Sequence, residues 1–99
     1  MNTIEHHKAD IFRICKAHNV RTLFAFGSVL TDRFTDQSDI DLLVDFQQQD
    51  VLAYADNYFD LKFSLEKVLQ RKIDLLEEKA IRNPYFRQLV NQQKQLIYG

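Results

Sequence analysis

Apolar residues recur at helical spacing in three parts of the chain, and each part predicts an amphipathic helix. The first helix ends near Asn19, the second starts at about Asp50, and the third starts at Pro84 or Tyr85. Their predicted core positions are Ile4, Ile11, Ile14 and Cys15, then Val51, Ala55, Tyr58, Leu61, Leu65, Val68 and Leu69, then Phe86, Leu89, Val90, Leu96 and Ile97. The last helix is therefore expected to extend almost to the end of the sequence.

Three shorter segments, residues 21–26, 39–46 and 72–77, have the pattern of β-strands. In the second of these, apolar residues alternate with positions that are mostly aspartate, so one face is apolar and the other acidic. The element order α-β-β-α-β-α predicts an α/β (α+β) fold. We expect a small mixed β-sheet covered by helices on one side, in a single domain spanning residues 1–99.

The composition narrows the possible functions. The 99 residues carry 13 Lys and Arg against 14 Asp and Glu, so there is no large basic field and direct nucleic-acid binding is not expected. The single cysteine, Cys15, excludes an intramolecular disulfide and a cysteine zinc cluster. No apolar run approaches the length of a membrane span and there is no signal-peptide core, so we expect a cytoplasmic protein without a membrane partner.

Aspartates stand at unusual places in two of the predicted strands. Asp39 and Asp41 lie two apart, so their side chains leave the same face of the strand with Cα atoms about 6.5 to 7 Å apart. Asp74 interrupts the apolar third strand between Ile73 and Leu75. If the two strands are near neighbours, three carboxylates meet at one end of the sheet, and hard oxygen ligands of this kind suit Mg²⁺ or Mn²⁺. The alternative is that these aspartates only begin their strands and point into water.

A Gly27-Ser28 pair follows the first predicted strand directly. Glycine permits a tight turn and the close approach of a ligand to the backbone, and the serine after it can offer its hydroxyl and its N–H to a phosphate. A Gly-Ser pair alone is a weak signal. It becomes informative here because the Ser-Asp-Ile-Asp segment of the next strand follows it after about ten residues. The sequence contains neither a Walker loop nor a dinucleotide-binding fingerprint.

Together, the segments Phe26-Gly27-Ser28 and Ser38-Asp39-Ile40-Asp41-Leu42-Leu43-Val44 resemble the signature of the DNA polymerase beta-like nucleotidyltransferase superfamily. Over nearly its whole length, the chain is similar to the minimal nucleotidyltransferase (MNT) antitoxin family, whose members are the partners of HEPN toxins.

The resemblance implies roles for individual residues. Gly27 and Ser28 would hold the phosphates of the nucleotide, and the catalytic and metal-binding residues would be Asp39, Asp41 and Asp74. Many members of the family carry Arg-Gly in the crossover between the two motifs, where this chain has Thr31-Asp32. Here the neighbouring Arg33 is the candidate for the positive charge that binds phosphate.

The resemblance also implies an activity. The protein would be a Mg²⁺-dependent protein adenylyltransferase that transfers AMP from ATP to a hydroxyl, that of a tyrosine, on a HEPN toxin, and so acts as the antitoxin. Two Mg²⁺ ions, or Mn²⁺ in their place, would offset the repulsion between the carboxylates and the triphosphate. The alternatives are a nucleotidyltransferase that modifies a small molecule, which the lack of a second domain disfavours, and a non-enzymatic antitoxin that blocks its partner by occlusion.

The long helix carries more apolar surface than one sheet face requires, because Leu52, Phe59 and Phe63 lie outside its core stripe. Exposed apolar patches often mark interfaces, so homo- or hetero-oligomer formation is one interpretation. Packing of this helix between the sheet and a neighbouring helix is the other.

Overall fold

Four strands form a single mixed sheet in the computed structural model, which describes residues 2–31, 33–35 and 37–99. The strands are β1 (Val20–Phe26), β2 (Ile40–Phe46), β3 (Ile73–Glu77) and β4 (Gln95–Tyr98), in the spatial order β3-β2-β1-β4. β1 is antiparallel to both β2 and β4, whereas β2 and β3 are parallel. The end of β1 and the beginnings of the other three strands therefore lie together at one end of the sheet. We call this end, which carries Asp41 and Asp74, the carboxylate edge.

Four helices surround the sheet: α1 (Asn2–His6), α2 (Lys8–Ala17), α3 (Val51–Leu69) and α4 (Pro84–Gln93). The side chain of Asp50 caps α3 by accepting a hydrogen bond of 2.9 Å from the N–H of Leu52. The side chain of Asn83 caps α4 in the same way, and Pro84 occupies a first-turn position where its missing N–H is harmless. Within the described part of the chain, none of the helices has the length and apolarity needed to span a bilayer.

The main core lies between α1 to α3 and one face of the sheet. Leu61 and Leu65 of α3 are completely buried there, together with Leu23 of β1 and Ile40 of β2. Cys15 belongs to this core as predicted, and its burial raises the pKa of the thiol to about 12. Burial of this apolar surface is the main force that holds the helices on the sheet.

The opposite face of the sheet is covered by α4. Val90 of this helix is buried against Phe26 of β1 and Leu43 of β2. The expectation that all helices lie on one side was therefore wrong. The physical reason is that both faces of the central strands are apolar near Leu43 and Phe26, so both faces need a cover.

The predicted fold class, a small mixed α/β sheet with helices, is confirmed, but the last element is not a single helix. The helix ends at Gln93, and Leu96 and Ile97 belong to β4, where Ile97 is 9% exposed and Leu96 is 52% exposed. This alternation is a strand pattern, but four residues are too few to distinguish it from the end of a helix. Phe86 and Leu89, predicted to point inward, are 37% and 50% exposed.

The other two helical predictions also need correction. The predicted N-terminal helix is divided at His7 into α1 and α2. In α3 the buried stripe is Leu61, Leu65 and Leu69, with Tyr58 and Val68 partly buried against the core. The predicted core positions Val51 and Ala55 are exposed, because Tyr54 makes the contacts of the first turns with the sheet. Phe59 and Phe63 stack on each other and remain half exposed, and association through this surface stays a prediction.

Side chains of α3 also cover the outer edge of β3. The N–H of Ile73 donates a 3.0 Å hydrogen bond to the carboxylate of Glu66. The hydroxyl of Tyr58 donates to the carbonyl oxygen of Leu75. These backbone groups belong to the side of β3 that does not pair with β2, so the helix takes the place of a further strand.

Candidate active site

Two of the predicted site residues lie opposite each other on neighbouring strands at the carboxylate edge. In the parallel pairing of β2 with β3, Asp41 lies opposite Asp74. Neighbouring strands are about 4.8 Å apart, so the two carboxyl groups leave the same face of the sheet side by side. Asp39 lies just before the start of β2 and is exposed. The structure therefore places the three predicted carboxylates at one edge.

The three acidic groups act on one another electrostatically. The pKa of Asp41 is raised above its ordinary value of 3.8, first by partial burial and then by the negative charges of Asp74 and Asp39. Burial and the two negative neighbours therefore all disfavour the charged form of Asp41. The arrangement thus concentrates negative charge at this place.

Gly27 is adapted to its place beside this cluster. Its φ of +76° lies in the left-handed region, which residues with a side chain rarely adopt. A Cβ atom at this position would lie 2.5 Å from the Oδ2 atom of Asp41, well inside van der Waals contact. Glycine is therefore required both by the backbone turn after β1 and by the closeness of the carboxylate.

The remaining predicted site residues line one cleft next to Gly27. The cleft has a volume of about 410 Å³, and its walls include Ser28, Thr31 and Arg33. The hydroxyl of Thr31 donates a 2.9 Å hydrogen bond to the carbonyl oxygen of Ser28, and the N–H of Arg33 donates to the Thr31 hydroxyl at 3.2 Å. These bonds hold the turn that joins the glycine–serine pair to the predicted cationic residue.

One residue that the sequence reasoning missed holds the loop before Asp39. The guanidinium of Arg71 donates hydrogen bonds to the carbonyl oxygens of Thr35 and Ser38, at 2.8 and 2.9 Å, and lies 4.4 Å from the centroid of the Phe34 ring. Arg71 precedes β3, so it links the start of that strand to the loop that carries Asp39. No local pattern could have revealed this, because the contacts span more than 30 positions.

The chemistry of the acidic cluster fits a divalent cation. Carboxylates that place their negative charges close together, as Asp39, Asp41 and Asp74 do, are a suitable donor set for Mg²⁺ or Mn²⁺. In the described ranges, however, no three side chains with metal-binding atoms stand together closely enough to hold an ion as they are. The roles of Asp39, Asp41 and Asp74 therefore stay predictions.

The burial of Asp41 and the negative charges beside it predict how stability depends on pH when divalent ions are absent. Because the folded-state pKa of Asp41 is raised, the stability associated with this group is greatest at low pH and is lost as the pH rises through that pKa. Asp41→Asn should therefore raise the Tm of the ion-free protein at neutral pH. It should also reduce the further rise in Tm that Mg²⁺ causes in the unmodified protein.

Thermal unfolding of both proteins, with a chelator and with Mg²⁺, measures these two shifts. A lower ion-free Tm for Asp41→Asn, or an equal response of both proteins to Mg²⁺, would contradict the prediction.

Comparison with known proteins shows the family of the chain. The family described as "Polymerase beta, Nucleotidyltransferase" matches residues 9–99. A similar protein of Methanocaldococcus jannaschii, provisionally named a protein adenylyltransferase, is 35% identical over 81 residues, which cover 82% of this chain and 78% of that relative.

Two solved structures share the fold. One, of a protein provisionally identified as a minimal nucleotidyltransferase, has a TM-score of 0.78 and 26% identity, and the match covers 95% of this chain and 92% of that one. The other belongs to the complex of the tri-AMPylated Shewanella oneidensis HEPN toxin with its MNT antitoxin. Its TM-score is 0.65 at 18% identity, and the match covers 96% of this chain and 71% of that one.

The resemblance inferred from the glycine–serine and aspartate motifs is thus confirmed. The chain belongs to the polymerase beta nucleotidyltransferase family and has the fold of a minimal nucleotidyltransferase.

Proposed function

We propose that the protein is a Mg²⁺-dependent protein adenylyltransferase that transfers AMP from ATP to a tyrosine hydroxyl of a HEPN toxin, and that it acts as the antitoxin of that pair. The observation that carries this proposal is the register of Asp41 with Asp74 immediately beside Gly27 and Ser28. It brings carboxylates for metal ions next to a turn suited to phosphate, which is what transfer from a nucleoside triphosphate requires.

The residues divide the work of the reaction between them. Ser28 and Arg33 bind the β- and γ-phosphates. Asp39, Asp41 and Asp74 would hold the two divalent ions. Such ions, when bound, stabilise the charge on the triphosphate and lower the pKa of the attacking hydroxyl. The hydroxyl oxygen bonds to the α-phosphorus, the bond from that phosphorus to the bridging oxygen breaks, and pyrophosphate leaves. Asp74 accepts the proton of the hydroxyl.

Two observations support a protein as the acceptor. The solved complex from Shewanella oneidensis pairs a chain of this fold with a HEPN toxin that carries three AMP groups. In addition, large apolar side chains are exposed on α3 and α4, where Phe63 is 57% and Tyr85 is 82% exposed. Exposed apolar surface of this kind favours binding to another protein.

Transfer of label tests the proposal directly. With Mg²⁺ and a HEPN toxin, ATP labelled on the α-phosphate or the adenosine should place label on the toxin, and ATP labelled on the γ-phosphate should not. Peptide mass spectrometry of the product should locate the AMP on tyrosine.

Two results would refute the proposal. One is the absence of toxin labelling while the protein still neutralises the toxin, which would indicate occlusion. The other is labelling of a small molecule but not of the toxin.

A further inference from the structure

The cleft beside Gly27 has a second wall for which neither the sequence motifs nor the proposed reaction provides a role. Gln93, the last residue of α4, and Gln95, the first residue of β4, line the cleft together with Ser28 and Arg33. Gln95 is fixed in position because it pairs with Ala25 of β1, two residues before Gly27. The carboxylate edge thus includes the beginning of β4 as well as those of β2 and β3.

The composition of the cleft indicates the charge of its ligand. Among the described residues, those that line it are Gly27, Ser28, Leu30, Thr31, Arg33, Gln93 and Gln95. They offer the hydroxyl of Ser28, two side-chain amides and a guanidinium, while the Thr31 hydroxyl already donates to the carbonyl oxygen of Ser28. None of the lining residues is acidic. A site with hydrogen-bond donors, one cation and no carboxylate suits an anion.

The position of the cleft indicates which part of a nucleotide enters it. The α-phosphate must lie near Asp41, which is adjacent to Gly27. The cleft is lined by Gly27 and Ser28 after β1 and by Gln95 at the start of β4, the strand on the side of β1 opposite β2. Because the lining suits an anion, the part of the substrate that enters the cleft from the α-phosphorus is the β- and γ-phosphate tail.

We propose that the side-chain amides of Gln93 and Gln95 bind the β- and γ-phosphates, and so hold the pyrophosphate that leaves. This inference rests on the proposed function, because it assumes that the substrate is a nucleoside triphosphate. It adds two phosphate-binding residues from the C-terminal part of the chain to those in the glycine–serine turn. The nucleoside, which lies on the other side of the α-phosphate, does not contact these amides.

Binding of simple ligands tests the inference without an acceptor protein. Calorimetric titration with Mg²⁺-pyrophosphate, and separately with AMP, compares the unmodified protein with the Gln93→Ala/Gln95→Ala double variant. Loss of two hydrogen bonds to a charged group should weaken pyrophosphate binding roughly tenfold or more. The affinity for AMP should stay within about twofold, because AMP carries no β- or γ-phosphate.

A matched control is available in the neighbouring Gln92, which is exposed and does not line the cleft. Gln92→Ala should bind both ligands like the unmodified protein, and all variants should retain their Tm. Equal pyrophosphate affinities for the double variant and the control would overturn the inference, and so would a loss of AMP binding in the double variant.

Nucleotide binding separates this inference from the proposed function. If the double variant loses its preference between ATP and GTP while its pyrophosphate affinity is unchanged, the glutamines bind the base and the inference is wrong. If the unmodified protein binds neither ATP nor pyrophosphate in Mg²⁺, the proposed function fails as well.

Discussion

Replacement of both Asp39 and Asp41 by Asn is expected to abolish transfer of AMP to the toxin, with a loss of at least about a thousandfold in rate. The two aspartates are the proposed ligands of the divalent ions, and the neutral amides cannot replace their charge. The fold should survive, because Asp39 is exposed and removal of the charge at Asp41 relieves its repulsion with Asp74. Toxin labelling from α-labelled ATP, measured over time at saturating Mg²⁺, gives the rate.

A charge-matched control distinguishes the site from a general electrostatic effect. Glu5 and Asp10 are exposed on α1 and α2, so Glu5→Gln with Asp10→Asn removes the same charge elsewhere. This control should label the toxin at close to the unmodified rate. Transfer by the Asp39→Asn/Asp41→Asn variant at more than about a tenth of that rate would refute the metal-binding role.

Gly27→Ala should impair both stability and activity. A side chain at a φ of +76° costs about 1 to 2 kcal/mol, which lowers the Tm of a domain of this size by roughly 4 °C or more. The new Cβ would also lie 2.5 Å from Oδ2 of Asp41, so that carboxylate must move. Displacement of a catalytic group by about 1 Å can cost on the order of a hundredfold in rate, so we expect a loss of this size below the Tm.

The effect on the carboxylate can be separated from backbone strain by a second variant. Asn19 also has a positive φ, of +59°, but it precedes β1 at the opposite edge of the sheet. Asn19→Ala should lower the Tm and leave the transfer rate of the folded protein unchanged. If both variants lose activity equally, or if Gly27→Ala retains full activity, the close approach of Gly27 to Asp41 has no catalytic role.

The placement of the acidic residues illustrates what the sequence could predict. Alternation along residues 39–46 was sufficient to show that Asp41 leaves the sheet on the face opposite Ile40, because side chains in a strand alternate. It could not show that Asp74 is its partner, since a strand pattern contains no information on which residue of a neighbouring strand lies opposite. The parallel pairing of β2 with β3 is what places Asp41 opposite Asp74.

The parts that the sequence did not predict depend on contacts between distant residues. Gln95 and Ile97 form a strand because β1 offers a free edge beside them, not because four residues have a strong preference of their own. Arg71 binds backbone oxygens of a loop far away in the sequence, and such contacts leave no periodic trace. The position of α4 likewise follows from the apolar patch at Leu43, whose surroundings are set by three different strands.

The cover that α3 provides for β3 has a consequence for the behaviour of the protein at high concentration. An unprotected outer strand can recruit the same strand of another molecule and start the growth of an aggregate. Here an incoming strand would have to displace Glu66 from Ile73 and Tyr58 from Leu75 before it could pair. Aggregation by strand addition is therefore blocked on this side of the molecule, even when the protein accumulates without a binding partner.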